Sequence, residues 1–584
     1  MKLIRLKIEQ PFRSLQAGFE LHFLREWELN EAKEKSEADF APYVLAGPNG
    51  SGKSNVLELL AAIFYHLECI YLDNLPESFI FDEDENPNGF QGAKALPDAF
   101  EIEYLIPVSK AHRVRDYGGH AYVRIVKQAG KEPQWSLLNF DDERGEAELT
   151  IGRTVARDLL PDFVLGYSSG ENEILSLPFF KARFIHYDEY LDSLKQDMDY
   201  PGKPESRHTY LDTVFSQANL LSNLLFQDQD TLKPFRQEVG IEGLKQFRVI
   251  LKRHIQINAE EADNYPSDLI VKDEGDAAVE RYYLPLLSRF ESSPDDNRRY
   301  EPVINRLIRC ATCHYTDSET DTLYLDYWVN EATIEAFKNN FESAIDLFQS
   351  LQILLTLNLY SVSDNLKSEL YRSSSLYVNE TVPTLPSDER ITRFKDLVLK
   401  KRGVESTVYA KSLSDGEHQF LHTLGLCLLY RESNCLFLLD EPETHFNPEW
   451  RSKLISRIRD CFIGTQAQRE MLITTHTPFL ISDSRQEHVL EFKKEGQAVS
   501  VKRPEYNTLG ASINKITLNT FAKKETIGGY AQKKMESFTT RFESGEDAEV
   551  LIDEIHREMG DSVEKVLLLR SIINSLDKVG QVRD

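Results

Sequence analysis

Cysteine is scarce: six residues in 584, at irregular spacing. That excludes a disulfide framework and makes the cytoplasm the expected compartment. No apolar run approaches the roughly 18 residues of a membrane span, and the opening MKLIRLKIEQ alternates like a strand where an export signal would be apolar. No membrane partner is therefore expected. Basic residues are also short, with Lys and Arg totalling 68 against 95 Asp and Glu, a net charge of −27. This excludes a protein coated in basic surface. Nucleic acid stays among the partner classes, because contact with it depends on where charge sits. There is no internal repeat and no low-complexity tract. What is present is ordinary globular composition, 41% hydrophobic and 28% charged, enough for a sizeable core in about four domain-sized units.

Three textures follow one another along the chain. Ile4, Leu6 and Ile8, then Phe19, Leu21 and Phe23, alternate as strands around a turn at Phe12–Leu15. Glu28–Asp39 reads as a polar loop, Tyr43–Ala46 as a short buried strand, residues 47–54 as a glycine-rich loop, and Lys53 to about Leu72 as a buried helix. After a turn-rich stretch over 73–98, strands are expected at Phe100–Val108, Ala121–Val126 and Trp135–Phe140, which makes an α/β lobe with an antiparallel flank. From about 190 to 390 the spacing predicts helices over Tyr210–Phe226, Ile241–Ile255 and Glu331–Tyr360. Scattered prolines there exclude a long coiled coil. The α/β texture returns with strands at Phe394–Lys400, Thr407–Tyr409, Cys435–Leu439 and Met471–Thr474 and helices at His418–Tyr430 and Glu449–Ile463. The tail is helical and includes Ala548–Met559 and Ser562–Leu576.

Gly47-Pro48-Asn49-Gly50-Ser51-Gly52-Lys53-Ser54 spells glycine, four residues, Gly-Lys-Ser between a strand and a helix, the P-loop pattern. Its glycines remove Cβ atoms that would keep backbone N–H groups away from phosphates. The helix opening Lys53-Ser54-Asn55 turns its positive end toward the same place. Lys53 suits the β- and γ-phosphates, and Ser54 suits Mg²⁺. The apolar strand Cys435–Leu439 ends in Asp440-Glu441. Carboxylates at the tip of such a strand need a cation or solvent. Asp440 is suited to hold Mg²⁺, directly or through water, and Glu441 to orient and deprotonate an attacking water. Leu413-Ser414-Asp415-Gly416-Glu417 opens a helix whose hydroxyl and glycine backbone form an anion site. The same residues read equally as a capping box. Ser168-Ser169-Gly170-Glu171, far upstream, is a similar string and reads as a turn and helix start near the nucleotide or the insertion. Thr474-Thr475-His476-Thr477-Pro478-Phe479 follows another apolar strand and presents His476.

This order of P-loop, long insertion, Ser414 motif, acidic strand and His476 resembles the ABC-type ATPases of the SMC, RecF and OLD group. The stretches 440–450 and 475–483 look like the OLD-like AAA ATPases of bacterial defence systems. Leu509–Asn514 and Thr526–Ala531 are similar to Septu-type antiphage ATPases (PtuA) and to restriction-system- or retron-associated ATPases. The resemblance implies an α/β head of two lobes, a mixed sheet plus an antiparallel flank, with a mainly helical insertion and a helical C-terminal extension. The implied domains are lobe I with the P-loop at 1–188, the insertion at 189–390, lobe II with signature, Walker B and switch histidine at 391–505, and the extension at 506–584. The implied cofactors are ATP and Mg²⁺. The implied assembly is a homodimer or larger oligomer, with ATP clasped between Lys53 of one chain and Ser414 and Gly416 of its mate. Glu441, Lys53 and His476 would be catalytic, His476 contacting the γ-phosphate, and Arg13 would lie near the adenine. The glutamine that the family places between its lobes is not assigned.

Cys310-Ala311-Thr312-Cys313-His314 spells a haem-attachment string, but no export signal accompanies it and no second close pair would complete a zinc site. The segment after His476 reads helical and lacks the acidic cluster of the OLD nuclease domain. The expected function is therefore an ATP-hydrolysing sensor or switch of an antiphage system, controlling a separate nuclease of HNH type. The alternatives are a nucleotide-gated scaffold with little turnover, or a DNA-repair ATPase like RecF and SMC.

Overall fold

Tyr43–Ala46, Cys435–Asp440 and Glu470–Thr475 are buried at every position and largely apolar, with polar residues only at strand ends, as strands covered on both faces must be. They form the heart of a seven-stranded sheet. Its order runs Ala498–Lys502, Val489–Glu495, Tyr43–Ala46, Glu470–Thr475, Cys435–Asp440, Phe163–Ser168, His208–Tyr210. All of its pairings are parallel except that of the edge strand Ala498–Lys502, which is antiparallel. The register sets Asp440 beside both Thr474 and Ser168, and Thr475 beside Ala46. Four strands thus end together at one edge, where α/β sheets place their ligands.

The computed structural model describes all residues except 26–27, 31–39, 85, 88, 170–174, 197, 199, 201, 268, 274–279, 288–301, 376–381, 522–527 and 581–584. Most of the expected loop Glu28–Asp39, and Gly170 and Glu171 of the upstream serine string, lie outside the described residues. The chain forms two compact units, Met1–Gly510 and Ala511–Asp584. Among the described residues no helix is long and apolar enough to cross a membrane.

In the first unit a six-stranded antiparallel sheet runs Glu20–His22, Lys2–Ile8, Phe100–Pro107, His120–Lys127, Gln134–Leu137, Ala147–Leu149. Leu6, Ile102, Val123 and Trp135 from this sheet share one core with Leu57, Leu60 and Phe64 of the helix Lys53–Cys69 and with Leu438 and Leu472 of the central sheet. The P-loop helix is thereby fixed between two sheets.

The middle of the chain departs furthest from expectation in one element. The segment Ile241–Ile255 is not a helix. Ile241–Lys252 is the central strand of a five-stranded antiparallel sheet, ordered Cys313–Asp317, Thr322–Trp328, Ile241–Lys252, Thr392–Lys401, Val408–Tyr409. The cause of the misreading is physical. Register shifts between Ile241 and Gly243 and between Leu244 and Gln246 each insert an extra residue against the partner strand, so buried Ile241, Leu244 and Phe247 recur every third residue, a helical spacing imposed by bulges. Helices still make up much of the region. Glu331–Tyr360 is two α-helices, Glu331–Asn340 and Ala344–Thr356, because Phe341 is extended and Ser343 caps the second by accepting from the Asp346 N–H. The helix expected from Tyr210 begins at Ser216, and Tyr210 itself ends a strand of the central sheet.

The second unit contains the helices Ile513–Thr520, Gly529–Glu543, Ala548–Glu558 and Val563–Gly580. Phe538, Leu551, Ile555 and Ile572 form its core. Arg541 spans Glu546 and Glu554 at 2.6 and 2.8 Å.

Candidate nucleotide site

Residues 47–52 join the buried strand Tyr43–Ala46 to the helix Lys53–Cys69. Gly47, Gly50 and Gly52 have φ of 151°, 72° and 96°. At Gly47 a Cβ would lie 2.5 Å from the carbonyl oxygen of Phe492, so only glycine lets the loop pass the neighbouring strand. At Gly50 a Cβ would meet nothing within 4 Å, so the loop's middle faces open space. Gly52 is the N-cap of the helix and no side chain caps it. By contrast, Ser414, Asn447 and Ser343 each cap their own helices. The first N–H groups of the P-loop helix are therefore left for an anion. The Ser51 hydroxyl is buried with no hydrogen-bond partner among the described residues. Lys53 donates to the carbonyls of Gly47 and Pro48 at 2.9 and 3.1 Å. Burial pushes its ammonium down to about 8, against the pull of Glu441 and Asp440.

The acidic strand ends against this loop. Ser54 Oγ donates to Asp440 Oδ1 at 2.7 Å, and Thr474 Oγ1 donates to the same oxygen at 2.6 Å. Burial raises the Asp440 carboxyl above the usual range, with Thr474 and Ser54 opposing. The Glu441 N–H donates to Thr474 Oγ1 at 3.0 Å, so one threonine fixes both acids. Glu441 has φ of 49°, a left-handed backbone that a non-glycine residue adopts at a cost of about 1–3 kcal/mol. Its carboxylate meets His476 Nε2 at 2.5 Å, and the hydrogen bond from His476 holds its pKa below the usual value despite partial burial. Glu443, 1% exposed, accepts from the Thr475 hydroxyl, and burial pushes it up to about 7.

Lys53, Ser54, Asp440, Glu441 and His476 are thus brought together at one sheet edge. Arg13 and Asn55 flank them. The Arg13 guanidinium grips Glu58 of the P-loop helix, with Nη2 2.7 Å from Oε1, and Asn55 Oδ1 accepts from Ser14 Oγ at 2.5 Å. Among the described residues Ser414 hydrogen-bonds to Glu417, and Gly416 lies against His445, neither reaching the P-loop. Ser414 and Glu417 form the capping box that the sequence allowed. At Gly416 a Cβ would lie 2.9 Å from the His445 carbonyl, and Gln419 Oε1 accepts from the His445 N–H at 2.8 Å. The helix Asp415–Leu429 is consequently seated on the turn after the acidic strand.

Two contributors, Thr474 and Gln419, are not singled out by the sequence. Thr474 was passed over in favour of His476. Ser169 takes part through its N–H to the Asp440 carbonyl at 3.1 Å and its Oγ, 2.8 Å from Thr444 Oγ1. Gln419 carried no signal beyond its place in a helix. Cys310, expected to be structural or incidental, is buried at the end of the helix Pro302–Cys310, its thiol pushed up to about 12, and Cys313 is exposed on the edge strand Cys313–Asp317.

Comparison with known proteins adds the following. Among solved structures, the chain is similar to an Smc head bound to the C-winged helix domain of ScpA (10% identity, TM-score 0.30, 86% of this chain and 98% of that one). It is also similar to an Smc head with an extended coiled coil bound to the C-terminal domain of ScpA, from Pyrococcus furiosus (12%, 0.30, 86% and 96%), and to the SMC head domain from Thermotoga maritima (10%, 0.29, 87% and 100%). A curated relative, Protein ea59 of Escherichia phage lambda, is 24% identical over 122 residues. That match takes in 21% of this chain and 23% of the relative, so the chain spans less than a quarter of the relative's length. Over residues 288–482, the stretch that carries Ser414, Asp440, Glu441 and His476, the chain matches the family described as "AAA domain, putative AbiEii toxin, Type IV TA system".

Proposed function

We propose that the chain binds and hydrolyses ATP with Mg²⁺ and uses the cycle as a switch over a separate nuclease in an antiphage system. The observation that carries this reading is the Ser54–Asp440 pair at 2.7 Å, at the foot of an uncapped helix and a glycine loop. These residues fit the implied ligands. Ser54 and Asp440 would hold Mg²⁺, and the free N–H groups with Lys53 would hold the β- and γ-phosphates. Bound there, Mg²⁺ would neutralise charge on those phosphates. Lys53 leaves the Gly47 and Pro48 carbonyls to reach them. Glu441 takes the proton as a water oxygen bonds to the γ-phosphorus. The bond to the bridging oxygen breaks, and its electron pair leaves with ADP. His476 keeps Glu441 ionised and aimed. Arg13 lies toward the adenine in this reading.

Among the described residues Ser414 and Gly416 engage Glu417 and His445 and not the P-loop, which supports a site completed by a second copy, head to tail. Lys53→Ala and Ser414→Arg should each be inactive alone. Mixed in equal amounts they should recover about a quarter of the wild-type rate, because random pairing gives half the dimers one intact site of two. A mixture as inactive as its components would show that one chain suffices for each site. The effector is tested by mass spectrometry of what co-purifies when the chain is expressed from its own operon. A nuclease is the expected find, and stoichiometric recovery of the chain with DNA alone would favour the repair reading.

A further inference from the structure

A cavity of about 410 Å³ opens along the P-loop helix. Glu58, Ala62, Tyr65 and His66 line it from that helix, and no residue of the 47–54 loop does. Its size is that of a small-molecule site. Its wall chemistry is of two kinds. Phe12, Tyr65, Phe79, Phe90 and Tyr371 supply aromatic surface. Phe79 and Phe90 stack at 4.8 Å and 10°, with Tyr371 edge-on to Phe79 at 5.1 Å. Arg13, Lys94, Lys181 and Arg372 supply positive charge.

Within a chain of net charge −27, the cavity gathers four cations against one lining carboxylate, Glu58, which Arg13 already holds. Among the described residues no carboxylate pairs with Lys181, and burial pushes its ammonium down to about 8. Lys181 is half-buried, and a half-buried cation without a counter-ion favours the arrival of an anion. Aromatic walls ask for a flat apolar ligand, and the cations ask for a phosphate or carboxylate on it.

We propose that this cavity is a second ligand site, separate from the P-loop, for an aromatic anion of the mononucleotide class, its ring against Phe79 and Phe90 and its charge on Lys181. The test is calorimetric titration with AMP of the full-length wild type, Lys53→Ala, Lys181→Met and Arg372→Glu. Arg372 is exposed, so its variant folds whatever becomes of the Lys181 variant. The expected result is one AMP per chain in wild type and in Lys53→Ala, with affinity at least tenfold weaker in Lys181→Met and in Arg372→Glu. ATP binding at the P-loop should stay within twofold in both of these. AMP displaced from wild type by ATP at concentrations that just saturate the P-loop would mean the cavity serves only the base of the P-loop nucleotide. That result, no AMP binding by wild type, or binding indifferent to Lys181 and Arg372, overturns the proposal. Absence of ATP hydrolysis would leave this titration unaffected, so the two readings fail separately.

Discussion

Glu441→Gln should lower steady-state phosphate release by a factor of about 10²–10⁴, the usual contribution of a positioned general base. Nucleotide affinity should change little. Gln keeps the volume and one oxygen, so the backbone hydrogen bond from the Glu441 N–H to Thr474 is untouched. What is lost is the charge that His476 steadies and the proton acceptor itself. Phosphate release and a fluorescent-ATP titration on the same preparation separate the two quantities. An undiminished rate would remove Glu441 from the chemistry, and a collapse of both rate and affinity would make it a binding residue.

Lys53→Ala should act earlier, on binding. Its ammonium rests on two loop carbonyls, a position from which it can be drawn onto phosphate oxygens without remaking the helix. Charge-assisted contacts of this kind contribute about 1.5–3 kcal/mol each, so the expected loss is on the order of 10²-fold in ATP affinity, with turnover abolished at ordinary concentrations. The same titration reads it, with circular dichroism to verify the fold. Affinity within threefold of wild type would place the phosphates somewhere other than the glycine loop.

How far the sequence foretold this molecule depends on whether the signal was local. The strands Tyr43–Ala46 and Cys435–Leu439 announce themselves because strands buried on both faces must be apolar along their length. Lys53, Ser54, Asp440, Glu441 and His476 were legible because each sits where a strand or loop ends in residues that cannot stay buried alone. Thr474 was not, since its role comes from lying opposite Asp440 in a parallel pairing that no spacing along the chain reveals. Ile241–Lys252 misled for the opposite reason: its bulges write a three-residue rhythm into a strand. Arg13 was singled out for a ligand, and its grip on Glu58, 45 residues away in the chain, was invisible until the fold joined them.

The left-handed backbone at Glu441 has an evolutionary side. Glycine would occupy that conformation at lower strain, so drift toward a sturdier fold pulls position 441 toward the one residue that carries no carboxylate. Robustness and turnover compete there for a single codon, and a lineage that needed only the assembled protein would be free to let the acid go.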